Sequence, residues 1–181
     1  MEVVLIQGKE KTGKTTLCKM IETILITIGY EPHKDKEGNE VRISRIEKGI
    51  EKDFTAVYIK GKCTIIINSE SEKGGIDRLK KIYKNNNLPY GKCTIVITAI
   101  RPKSENPNLN KWIKDIYKDD FEAEEYIVDL DIEKMKTENE ELDFCEFIDK
   151  ILKERGAEIL KKIKKELKCE IEISCEPKRR K

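Results

Sequence analysis

Apolar and polar positions change period several times along the chain, and the changes mark its elements. Val3-Val4-Leu5-Ile6 is an unbroken apolar run, as expected of a strand covered on both faces. Leu17, Met20/Ile21, Ile24/Leu25 and Ile28 then recur at helical spacing, with Gly29 placed to cap the helix. Residues 30–40 carry Pro32, Gly38 and Asn39 among charges and read as loop, and Val41 to Ile46 alternates as a half-buried strand. Phe54–Lys60 and Lys62–Asn68 are β-rich runs joined at Gly61 in a tight hairpin. A helix starting near Gly74-Gly75 turns Ile76, Leu79, Ile82 and Tyr83 inward, and Asn85-Asn86-Asn87 closes it.

Cys93–Ile100 is the next buried strand and ends in Arg101-Pro102. Leu109, Trp112, Ile113 and Ile116 give a short helix, and Glu125–Leu130 a further strand. The remainder reads as mainly helical: one stripe of Leu142, Cys145, Ile148 and Ile151/Leu152, then another of Ile159/Leu160, Ile163 and Leu167 after a break at Gly156. Ile171 and Ile173 suggest a terminal edge strand. Strands alternating with helices predict an α/β fold of three αβα layers, with a mainly parallel sheet and one antiparallel hairpin. Residues 1–175 form a single domain in this reading, and 176–181 a disordered basic tail.

Between the first strand and the first helix lies Gly8-Lys9-Glu10-Lys11-Thr12-Gly13-Lys14-Thr15, followed by Thr16. This matches G-x-x-x-x-G-K-[ST] in the required strand-loop-helix setting. Two glycines five residues apart let the chain curl so that its amides point into one concavity suited to a di- or triphosphate. Lys14 would add charge at the β/γ-phosphates, Thr15 a hydroxyl for Mg²⁺, and Thr16 a further phosphate contact.

On these residues the chain resembles the P-loop nucleoside triphosphatases, strongly over the first thirty residues and only architecturally beyond them. The resemblance implies a P-loop fold that binds ATP or GTP with Mg²⁺, with Gly8, Lys11, Thr12, Gly13, Lys14, Thr15 and Thr16 holding the nucleotide. The antiparallel pair followed by a polar loop and a helix resembles the region before the second nucleotide-binding motif, so Ile65-Ile66-Ile67 is expected as the central strand beside the first. No Asn-Lys-x-Asp signature follows a central strand, which favours ATP over GTP.

Phosphoryl transfer also needs an acid to orient metal or water. The strand Ile65-Ile66-Ile67 ends in Asn68-Ser69-Glu70-Ser71-Glu72 where an aspartate is expected. Glu70 is preferred as the metal-orienting or water-orienting acid, with Glu72 beside it, Ser69 as a further metal contact and Asp129 as the alternative. Arg101, ending a buried strand at the ligand edge, would meet the γ-phosphate or a phosphorylated acceptor, or cap the sheet by pairing with an acid. Arg42 and Arg45 could meet phosphate, though exposed charges on a solvated strand face are the preferred reading. The catalytic set is therefore Lys14, Glu70 and Arg101.

Charge and cysteines narrow the function classes. The 181 residues carry 37 basic and 35 acidic side chains, a formal net charge of +2, which argues against a surface built for nucleic acid. The lysines of the C-terminal helix, Lys161, Lys162, Lys164 and Lys165, read as a solvated face. No apolar run approaches a membrane span and no leader is visible, so a cytoplasmic protein with six reduced core cysteines is expected. His33 and the paired Gly-Lys-Cys-Thr-Ile segments at 61–65 and 91–95 suggest no metal site. The expected function is Mg-dependent phosphoryl transfer or hydrolysis. Its rivals are a nucleotide or small-metabolite kinase with its own phosphate acceptor, and a non-catalytic nucleotide-dependent switch that binds a protein or nucleic acid. The sequence assigns no oligomeric state.

Overall fold

A computed structural model describes residues 1–85, 94–117 and 123–130, together with 154, 156–161 and 163 of a later helical segment. The elements are β1 (Glu2–Gln7), α1 (Lys14–Thr27), β2 (Glu31–Pro32), β3 (Arg42–Glu47), β4 (Ile50–Lys60) and β5 (Cys63–Asn68). They continue as α2 (Lys73–Asn85), β6 (Thr94–Ile100), α3 (Leu109–Tyr117) and β7 (Glu124–Asp129). The strands form one mixed sheet in the order β2-β4-β5-β6-β1-β7, with β3 also paired to β4. Strands β5, β6, β1 and β7 are parallel, and β4 runs antiparallel to β5.

The apolar run of β1 follows from cover on both faces. Val4 and Ile6 pack with Leu17, Cys18, Ile21 and Leu25 of α1 and with Ile159 and Ile163 of the later helical segment. Val3 and Leu5 face the opposite way, into a core with Ile76, Leu79 and Ile82 of α2 and Leu109, Ile113 and Ile116 of α3. Each such side chain contributes about 1.5–3 kcal/mol by leaving water, so a helix on only one side would forfeit half of the strand's stabilisation. The two clusters place helices on both sides of the sheet, an α/β arrangement compatible with three layers.

Several expectations change, among them the loop over 30–40, which contains β2 paired to β4 through Glu31↔Ile59 and Pro32↔Tyr58. Strand β6, not β5, lies beside β1, in register from Glu2↔Ile95 to Gln7↔Ile100. The antiparallel part is larger than one hairpin, because β3 and β4 form another through Lys48 and Gly49 at φ 51° and 76°. Both residues lie in the left-handed region that two-residue hairpin turns demand, and Lys in place of the usual Asn or Asp hid the signal. Gly156, where a helix break was expected, is itself helical, and a Cβ there would sit 3.5 Å from Leu17 Cδ1, in ordinary contact.

The hairpin at Gly61, the inner face of α2 and the short α3 match expectation, with boundaries within a few residues except that β4 starts at Ile50 rather than Phe54. Cys63 is disulfide-bonded, against the expected reduced thiol. The stripe over 142–152, Leu167, Ile171, Ile173 and the basic tail lie outside the described residues, as do Asn86, Asn87 and Cys93. No described helix is long and apolar enough to cross a membrane.

Candidate functional site

The parallel strands deliver their carboxyl ends to one edge of the sheet, and a cleft of about 380 Å³ opens there. It is lined by Glu10 to Thr16 after β1, by Ser69 to Glu72 after β5, by Arg101 after β6, and by Arg45 and Asp53 of the β3–β4 hairpin. Of the residues expected to bind nucleotide, hold metal or catalyse, all but Gly8 line it directly, whereas the alternatives Asp129 and Arg42 do not.

The loop's shape depends on both glycines. Gly13 adopts φ 84°, ψ 10°, a left-handed conformation unfavourable to residues with a Cβ, and Lys11 shares it at φ 61°. Gly8 matters through space: a Cβ there would fall 2.3 Å from Thr12 Oγ1 and 3.3 Å from Leu130 Cβ. Gly8 N–H donates to Ile100 O at 3.2 Å, tying the loop's start to β6, and Thr12 Oγ1 donates to Lys9 O at 3.0 Å. Helix α1 begins at Lys14, so the N–H groups of Lys14, Thr15 and Thr16 have no carbonyl one turn behind them, and they open on the cleft. Such a terminus favours anions through its exposed donors and the positive end of its dipole.

Lys14 is only 7% exposed. Its ammonium donates to Gly8 O at 2.7 Å and to Lys9 O, folding back across the curl. Burial, joined by the Arg101 guanidinium, lowers its pKa from 10.5 to about 8, while Glu105 and Glu10 oppose. Cys18, one turn deeper in α1, has its pKa raised to about 12, chiefly by burial, and is chemically quiet.

Thr15 Oγ1 donates to Asp53 Oδ1 at 3.0 Å, with Ser69 O also at 3.5 Å. The other oxygen, Asp53 Oδ2, accepts an ion pair from Arg45 Nη2 at 2.9 Å. Asp53 escaped the sequence reading. Its signal there is a lone acid before an apolar run, and because β4 is antiparallel its amino end reaches the edge where the parallel strands finish. A search for an acid after a strand passes over one standing before it.

Glu70 lines the cleft but is ion-paired to Arg78 of α2, with Arg45 Nη1 at 3.8 Å. Helix α2 approaches so closely that a Cβ on Gly75 would lie 2.6 Å from both Glu70 Cβ and Glu70 O. Asp129 is exposed on β7 and does not line the cleft. Arg101 does line it, and it also pairs with Glu72 at 2.9 Å and Glu105 at 3.4 Å, so both of its sequence readings describe part of its surroundings. Arg42 and Arg45 part company. Arg42 packs over the Phe54 ring at 4.4 Å and pairs with Glu22 and Glu51, outside the cleft, whereas Arg45 enters it.

Asn68, standing where an aspartate was sought, is fully buried and fully engaged. It accepts from Thr55 Oγ1 at 3.0 Å and donates to Thr98 Oγ1 and Glu70 O, each at 2.9 Å. An aspartate could make neither donated bond, so this position holds the cleft floor together. Ser69 Oγ accepts from Phe54 N–H at 2.8 Å and is likewise engaged.

The donors at Thr15 and Asp53, a hydroxyl and a carboxylate, are hard oxygens of the kind Mg²⁺ takes, and Mg²⁺ commonly uses one or two carboxylates with water and phosphate completing its shell. Among the described residues no three His, Cys, Asp or Glu gather as a self-sufficient metal cage. Comparison with protein-family models, with curated proteins and with solved structures gave no match to the chain.

Proposed function

We propose that the chain binds a magnesium nucleoside triphosphate, ATP before GTP, in the cleft at the amino end of α1, and hydrolyses or transfers its terminal phosphate. The observation that carries this reading is the convergence of the left-handed loop, the open first turn of α1, Lys14 and the Thr15–Asp53 pair on one cleft. Loop amides and Lys14 would hold the β- and γ-phosphates, offsetting charge that develops between them. Thr15 and Asp53, rather than Thr15 and Glu70, would hold Mg²⁺, which when bound supplies charge neutralisation at the phosphates. Glu70, fixed by Arg78, would orient the attacking water or acceptor hydroxyl, and Arg101 would meet the transferring group.

The lining charges support the need for metal. Lys11, Lys14, Arg45 and Arg101 are balanced by Glu10, Asp53, Glu70 and Glu72, so the formal charge of the walls is zero. A triphosphate entering without a divalent cation gains no net attraction from them. Titration calorimetry with ATP and GTP, each with Mg²⁺ and with EDTA, tests the proposal. Saturable binding that needs Mg²⁺ is expected, and no uptake of either nucleotide with Mg²⁺ present would end this reading. Phosphate release measured with and without added acceptors then separates hydrolysis from transfer.

A further inference from the structure

Arg45 belongs to an edge hairpin yet lines the cleft. The ladder between β3 and β4 carries a register irregularity between Arg45 and Ile46, immediately after Arg45↔Asp53. Irregularities of this kind bend a strand and re-aim a side chain, here toward the carboxyl edge of the sheet. Of the cations lining the cleft, Lys14 is committed to loop carbonyls and Arg101 to Glu72 and Glu105, while Lys11 and Arg45 are the exposed ones, and of these only Arg45 carries a planar fork. Arg45 is the more accessible of the two arginines, with a side chain 43% exposed against 22% for Arg101. Its pairing with Glu70 is loose at 3.8 Å, so Asp53 is its main anchor.

That anchor is the carboxylate whose other oxygen faces Thr15. A divalent ion between Thr15 and Asp53 would neutralise the charge that holds the guanidinium, while adding phosphate oxygens within the same cleft. A planar fork matches two oxygens of one phosphate better than it matches a carboxylate already claimed by metal. We propose that Arg45 reads the terminal phosphate: metal binding at Asp53 hands its guanidinium over to the third phosphate, so that this residue makes the site prefer a triphosphate to a diphosphate. The inference rests on the nucleotide-binding reading above and assigns Arg45 a role in ligand discrimination, not merely in holding Asp53.

The test compares dissociation constants for Mg-ADP and for the Mg complex of a non-hydrolysable imido analogue of ATP, in the wild type and in Arg45→Gln and Arg45→Lys. The wild type is expected to favour the triphosphate. Arg45→Gln should lose at least tenfold of that preference while ADP affinity stays within threefold, and Arg45→Lys, which keeps charge without the fork, should fall between. Circular dichroism and melting check the fold of both variants, and if Arg45→Gln is unfolded the Arg45→Lys preference decides, a drop of less than threefold overturning the proposal. An unchanged preference, or equal weakening of both nucleotides, overturns it too, since the arginine would then only steady Asp53. Failure of the wild type to bind either nucleotide instead removes the nucleotide reading on which it stands.

Discussion

Raising the pH from 7 to 9 should weaken nucleotide binding through Lys14 alone. In the empty cleft burial, aided by Arg101, brings the pKa of this lysine down to about 8, whereas a bound polyphosphate would stabilise the ammonium and restore a higher value. At pH 7 the group is mostly charged already. At pH 9 only about one-tenth is, so binding must draw a proton from solution and the apparent affinity falls about tenfold, equivalent to about 1.4 kcal/mol. Phosphate ionisation does not interfere, because its second pKa near 6 is already passed. Calorimetry at pH 9 in buffers of different ionisation enthalpy should register uptake of about 0.9 proton per nucleotide. In Lys14→Met both the slope and the uptake should vanish along with most of the affinity. A wild-type affinity that is flat from pH 7 to 9, or the same decline in Lys14→Met, would refute the reasoning.

The same displacement has a sign for stability. The folded pKa lies below the unfolded one, so between about 8 and 10.5 the unfolded chain binds more protons and stability of the nucleotide-free protein rises with pH. Below pH 8 the cost is present in full, about 3 kcal/mol for a pKa lowered from 10.5 to about 8. Lys14→Met removes that cost but leaves the Gly8 and Lys9 carbonyls without their donor, a loss of about 1–3 kcal/mol. The two nearly cancel at pH 7. The informative readout is therefore the stability of wild type minus variant in chemical denaturation, which should start near zero at pH 7 and move in favour of the wild type as pH approaches 10.

Other substitutions separate the remaining roles. Asp53→Asn keeps an acceptor for the Thr15 hydroxyl but removes the charge opposite the metal, and should cost 10- to 100-fold, about 1.4–2.7 kcal/mol, in Mg-nucleotide affinity, with little change in EDTA. Glu70→Gln should cut Mg-dependent turnover at least tenfold while nucleotide affinity holds; unaltered turnover would leave Glu70 only its pairing with Arg78. Gly75→Ala places a Cβ 2.6 Å from Glu70 backbone oxygen, which cannot swing aside, so a loss of about 1–3 kcal/mol in thermal or urea unfolding is expected. A melting temperature equal to wild type would show that α2 can retreat.

How far the sequence could be read depended on whether a feature was local. The loop was legible because Gly8, Gly13, Lys14 and Thr15 sit within eight residues and each answers a short-range demand, whether left-handed backbone, absence of a Cβ, or one charge and one hydroxyl at a helix start. Helix faces were legible for the same reason, since Ile76, Leu79 and Ile82 carry their own period. Strand order was not. Whether β5 or β6 lies next to β1 depends on pairing across about sixty or about ninety residues of chain, and the two candidate sequences, Thr64-Ile65-Ile66-Ile67 and Thr94-Ile95-Val96-Ile97, offer β1 almost the same surface.

The misplaced acid has a deeper cause than missing range. Asn68 and Asp53 meet near one point on the cleft floor from opposite chain directions, Asn68 as the last residue of β5 and Asp53 just past its partner Thr55 on antiparallel β4. Only one of them can be charged without burying an unpaired carboxylate. Asn68 has no exposure, and its three hydrogen bonds require two donated protons, so charge there would be stranded. Asp53 is almost fully buried as well, but Thr15 and Arg45 satisfy both of its oxygens, so a carboxylate is tolerable there. The hairpin thus lets a neutral residue occupy the expected strand end while the charge arrives on the neighbouring strand. An acid can be displaced in this way wherever an antiparallel strand borders a parallel set, so acids before a strand warrant the same scrutiny as acids after one.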